Sequence, residues 1–373
     1  MKNNRIVIFD YLRGLSILMI VLYHFALWFP INSQNLNVPF FLSKIFVFNN
    51  LILNLVFAIL RLGWQFVGVF IFLSGFGLAY SYLSKKENKI FLVKRIKKII
   101  PAWQFAILFS FIINFILVRF FKSDLIKIPS LDIKDYFLLF IFPAFIDLKF
   151  VYIDKINDTL WFIVLILQFY VFFEFLISKI KLLGNKKFLF WTLFITISFR
   201  FLSILILNQG ILPLSFVDSI LGVVLKTFPS RLFEFSLGMI TAKLYLENNN
   251  VIKNINIKEF LFGILLWFLG TISTYNIWGW IISDLLITVG LLLITIFLLK
   301  RLENLFISKY LVFLSEFSFF IYLFHGRLIQ LFNILVLKSF VLIQNYNFLF
   351  LFSFFIILYA FQFLSLFFKN QEK

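Results

Sequence analysis

The sequence predicts an all-α integral membrane protein of about ten transmembrane helices, with both termini on the cytoplasmic side. Three observations predict it. Of 373 residues, 62% are hydrophobic and only 14% charged, with a mean hydropathy of +1.01. Soluble domains run at about 45–50% apolar and about 25% charged. Apolar runs long enough to cross roughly 30 Å of hydrocarbon recur from end to end. Alternate connections between those runs are basic, as the positive-inside rule requires of cytoplasmic loops.

In a chain this apolar, periodicity says little, so length and punctuation set the spans. They fall near 6–29, 64–83, 99–120, 159–178, 188–207, 229–247, 259–275, 280–299, 316–337 and 347–368. Two further apolar stretches, 51–60 and 136–149, are short for a crossing, and Pro143 interrupts the second. Both read as interfacial or re-entrant pieces. With a cytoplasmic N-terminus, the inner segments hold Lys2 and Arg5, then KKENKIFLVKRIKK (85–98), then Lys179, Lys181, Lys186 and Lys187. Lys253, Lys258, Lys300, Arg301, Lys309, Lys369 and Lys373 complete the series. The longest outer loop, 121–158, carries six of the seventeen acids against five lysines. An eleventh crossing at 136–149 would move the 179–187 lysines outside, so ten spans fit better. The first segment is longer than a signal-peptide core and lacks a small-residue cleavage site. Residues 1–373 therefore read as one membrane-embedded domain, multi-pass in the cell membrane, without an internal repeat.

Composition also removes classes of chemistry. With zero cysteines the chain offers no disulfide, thiolate metal site, iron–sulfur cluster or thiol nucleophile. No metal site is expected, and no bound cofactor. The net charge of +18 reports loop charges that set orientation, so no nucleic-acid partner is expected; the lipid bilayer is. The 59 phenylalanines read as lipid-facing or packing residues.

Charged and titratable groups inside the spans are costly, and so they are the candidates for function. In FDYLRGLSILMIVLYHF (9–25), Arg13 and His24 are eleven residues apart. On a helix this is about 20° beyond three turns, with a rise of roughly 16 Å, so both share one face. Asp10 sits three residues before Arg13, within ion-pairing reach. The pattern is open to two readings: an arginine paired with Asp10 and a histidine bonded to a neighbouring helix, or a functional site. Arg231 and Glu234 form an i,i+3 pair; Asp284 and His325 also fall within spans. The loop 85–98, with seven basic residues and one acid, serves topology or gathers a cytosolic polyanion.

Six blocks together resemble one family, the acyltransferase-3 integral membrane acyltransferases. FDYLRGLSILMIVLYHF is similar to its first-helix signature, Arg-x10-His preceded by Asp. GVFIFLSGF (68–76), KRIKKIIPAW (94–103), DTLWFIVLILQFY (158–170), RLFEFSLGM (231–239) and SFFIYLFH (318–325) resemble its later blocks, in family order. Where the family often has Arg-x-x-Arg, this chain has Arg95-x-x-Lys98, which keeps the charge and loses one bidentate fork.

The resemblance implies an acyltransferase of the O-acetyltransferase kind, in its minimal form without an added extracellular esterase-like domain. It would move an acyl group, usually acetyl, from cytosolic acyl-CoA to a carbohydrate or lipid-linked glycan, with succinyl or another acyl donor as the variant. His24 would carry the catalysis. Arg13, Arg95, Lys97 and Lys98 would bind the acyl-CoA co-substrate. Asp10, Arg231, Glu234, Asp284, His325 and Trp161 would support the site or face the acceptor. The competing reading is a secondary transporter or flippase for a glycan or lipid, which would also use intramembrane charges. Such proteins commonly show duplicated halves, and none is visible in this sequence.

Overall fold

The computed structural model describes residues 6–28, 51–85, 90–120, 156–208, 226–247, 255–301 and 306–339, with positions 134, 136, 137 and 140 between them. Among the described residues, every regular element is helical. The expected span at 347–368 and most of the stretches 121–158 and 136–149 lie outside the described residues.

In chain order, α1 is Val7–Trp28, α2 Leu51–Arg61, α3 Phe66–Lys85 and α4 Ile90–Phe120. Next come α5 Trp161–Asn208, α6 Leu232–Glu247 and α7 Ile257–Ser273. The last described are α8 Ser283–Leu299 and α9 Phe306–Ser339. Among the described residues, five segments are long and apolar enough to cross a membrane: Val7–Leu27, Asn54–Ser84, Arg95–Leu117, Trp161–Ile206 and Ile307–Phe332. The protein is a helical membrane protein.

Three boundaries differ from the sequence expectation. The stretch 51–60 does not stand alone: α2 passes through a 3-10 turn, Leu62–Gln65, directly into α3. The basic run 94–98 belongs to a helix, because α4 begins at Ile90 and continues through Pro101. Lys and Arg are good helix formers, so charge ends an apolar run without ending the helix. The basic segment 179–187 is likewise largely helical. α5 is broken only at Gly184, whose φ of 72° and ψ of 168° are open to glycine alone.

That single residue reverses the chain. The rings of Phe175 and Trp191 have centroids 6.3 Å apart. In a straight helix, residues sixteen apart would be separated by about 24 Å along the axis. α5 is therefore a hairpin with arms 161–183 and 185–208.

Close backbone approach builds the bundle, as it must where lipid supplies no hydrophobic drive between helices. α3 and α6 meet at Gly75 and Gly238. A Cβ on Gly75 would lie 2.1 Å from the Phe235 carbonyl oxygen, and one on Gly238 would lie 2.1 Å from that of Phe72. α1 lies against both α3 and α9, and α7 pairs with α8. On α7, Leu261, Leu265, Phe268 and Ile272 point outward as a lipid-facing stripe.

Candidate active site

Two histidines, 301 residues apart in sequence, touch. His24 lies in the last third of α1 and His325 in the middle of α9, and their ring centroids are 4.9 Å apart. His325 Nε2 is 3.2 Å from His24 Nδ1. His24 Nδ1 also faces the Ile20 carbonyl at 2.9 Å, one turn back on its own helix. His325 Nδ1 faces the carbonyls of Tyr322 at 2.8 Å and Ile321 at 3.2 Å. His325 is fully buried, while His24 is part-buried.

The neighbourhood of His325 is held rigidly. The Tyr322 hydroxyl accepts from the Phe162 amide at 3.1 Å and donates to the Thr159 carbonyl. Asn157 accepts from the Thr159 hydroxyl at 2.8 Å and donates to Ser110 at 3.2 Å. These bonds tie α9 to the start of α5 and to α4. Trp161 opens α5 as a part-buried ring next to Phe162, and the Lys226 ammonium lies 6.0 Å from its ring centre.

The basic candidates converge on one face of α3. Arg13 is 3.9 Å from Asp10, which also accepts from Ser315 at 3.3 Å. An Arg13 Nη atom passes 3.6 Å from where a Gly77 Cβ would stand. Arg95 donates to the Ser81 hydroxyl at 3.1 Å. Gly77 and Ser81 are four residues apart, so the two guanidinium groups meet adjacent turns of α3, about 6 Å apart along its axis. Lys97 and Lys98 are exposed on α4.

The remaining charged candidates form a separate cluster. Arg231 lies 3.1 Å from Glu234 and 3.0 Å from Asp284. Arg200, not singled out in the sequence, sits at 3.4 Å from each of the same carboxylates. It also donates to the Ser230 carbonyl at 2.6 Å and the Trp280 carbonyl at 3.3 Å. Two arginines and two carboxylates are thereby buried as a neutral group joining α5, the α6 entry and α8. The available signal for Arg200 was the arginine itself, in the otherwise apolar run FLFWTLFITISFRFLSIL.

Residues 6–366 match the acyltransferase-3 family model, described as an acyltransferase domain. The chain belongs to the acyltransferase-3 family. That match covers nearly the whole chain and contains every candidate residue named above, so this is a membrane acyltransferase. No curated protein and no solved structure matches the chain.

Proposed function

We propose that this acyltransferase moves an acyl group, acetyl foremost, from cytosolic acyl-CoA to a hydroxyl of a cell-surface or lipid-linked carbohydrate. The observation that carries the reading is the part-buried His24–His325 contact, in which His24 comes from the helix that also bears Arg13. Acyl transfer from a thioester to an alcohol needs a base for the hydroxyl proton, and imidazole serves near neutral pH. His24 takes that proton as the alcohol oxygen bonds to the acyl carbon. The carbon–sulfur bond breaks, and the proton returns to the departing CoA thiolate. Attack by His24 itself, through an acyl-imidazole, uses the same ring nitrogen. The two routes differ in whether label from acyl-CoA stays on the protein when no acceptor is present.

Arg13 from α1 and Arg95 from α4, which meet adjacent turns of α3, bind the CoA phosphates with Lys97 and Lys98 beside them. Trp161, next in sequence to the residue that contacts Tyr322, offers its ring to the acceptor sugar. Asp10 orients Arg13. The protein spans the cell membrane ten times with both termini cytoplasmic, which puts this basic end on the side of the donor. Single-cysteine labelling tests that topology directly, because the chain contains no cysteine of its own. Lys97→Cys reacting only from outside the cell would overturn it.

The main experiment follows transfer of labelled acetyl from acetyl-CoA to the membrane glycan fraction. His24→Ala should lower it by about 10²- to 10⁴-fold, the usual contribution of a positioned base. Undiminished transfer by a normally inserted His24→Ala protein sinks the proposal.

A further inference from the structure

Carbonyl oxygens only accept hydrogen bonds. His325 Nδ1 faces two of them, at 2.8 and 3.2 Å, and therefore carries a hydrogen. In the neutral ring Nε2 is then the acceptor, and it lies 3.2 Å from His24 Nδ1. His24 Nδ1 also faces a carbonyl, that of Ile20, so it too carries hydrogen. The direction of these bonds is thus fixed by backbone atoms. It runs from His24 Nδ1–H to His325 Nε2, and from His325 Nδ1–H to the carbonyls of α9. The unprotonated nitrogen of His24 is Nε2.

We infer that His325 is a positioning residue: it accepts from His24 Nδ1–H, holds the ring with Nε2 as its basic nitrogen, and stabilises the ring when it becomes charged. The Ile20 carbonyl does not do this alone, because it already accepts the backbone amide of His24 within α1. When the hydroxyl proton arrives at His24 Nε2, the ring becomes a cation. A bond from Nδ1–H to a neutral imidazole then strengthens as charge develops, and nothing else moves. The buried bonds from Tyr322 to Phe162 and Thr159 keep the accepting ring in place.

The inference rests on the reading of His24 as the reacting base. Its test compares His325→Gln, which puts an acceptor oxygen near the Nε2 position, with His325→Leu, which removes the acceptor. In the acetyl-transfer assay, His325→Leu should lose on the order of 10²-fold in kcat with KM for acetyl-CoA unchanged. His325→Gln should recover at least tenfold of that loss. If His325→Leu fails to accumulate, His325→Asn, whose shorter side chain does not reach His24, takes its place. Because the chain has only two histidines, ¹⁵N-histidine labelling of either variant leaves one imidazole to observe. His24 should stay protonated at Nδ1 in His325→Gln and gain an Nε2–H population in His325→Leu. A His325→Leu enzyme with kcat near wild type overturns the inference, as does an equal loss in the Gln and Leu variants. An active His24→Ala protein would instead overturn the base assignment, while the nitrogen spectra would still report the contact.

Discussion

Among the described residues, two groups of charged side chains within the helices are built on opposite plans. The cluster of Arg200, Arg231, Glu234 and Asp284 is sealed: two positive and two negative groups, all buried, each carboxylate against both arginines. The other region is uneven. Arg13 keeps a side chain 36% exposed, Arg95 reaches across to Ser81, and His24 is part-buried against a neutral ring. A charge-balanced cluster closed on itself holds helices together, since removing one partner strands the other in a medium that solvates it poorly. Basic side chains that keep their exposure to solvent are a place for an anion to arrive. Under the proposed function the same residue types, Arg and Asp, thus belong to architecture in one region and to reactivity in the other.

That contrast can be broken at either end. His24→Ala is the largest expected effect, about 10²- to 10⁴-fold in acyl transfer with folded protein unchanged, measured by label transfer and by yield after detergent extraction. Arg200→Met should do the reverse. Losing one partner of a buried ion pair costs about 3–5 kcal/mol, so folded protein in the membrane should fall steeply, and whatever remains should bind acyl-CoA normally. A stable Arg200→Met protein with weakened donor affinity would erase the distinction. Next in size, Arg13→Ala and Arg95→Ala should each raise KM for acyl-CoA by about tenfold, the loss of one or two charge-assisted hydrogen bonds. Unchanged affinity in both would move the donor site elsewhere. Gly184→Ala bears on scaffold alone. It forces a non-glycine residue into a conformation costing about 1–3 kcal/mol, to be read as a lower melting temperature with KM values unaltered.

Much of this arrangement was legible in the sequence, and what was not has a common cause. Arg13, Asp10 and His24 share one helix, so their relation follows from helical geometry. Arg231 and Glu234, three apart, are legible for the same reason. The partner of His24 is on α9 and those of Arg200 are on α6 and α8. Such pairings are set by how helices stack, which no local pattern encodes; the sequence marked His325 as a titratable group within a span, but not which residue it meets. The reading of KRIKK as loop failed differently. Hydropathy marks where a helix leaves the hydrocarbon, while α4 goes on past that boundary to Ile90. At Gly184 the sequence offered one glycine in the nine residues KIKLLGNKK (179–187). Only backbone geometry shows that this residue turns the chain by itself.

The contact between residues 24 and 325 also has a temporal side. A ribosome adding roughly 5–20 residues per second needs about 15–60 s to pass from one histidine codon to the other. For that interval the first helix waits in the bilayer with its imidazole facing whatever neighbours exist. A chain that stops between the two positions therefore never carries both rings, and the proposed site comes together only once residue 325 has been made.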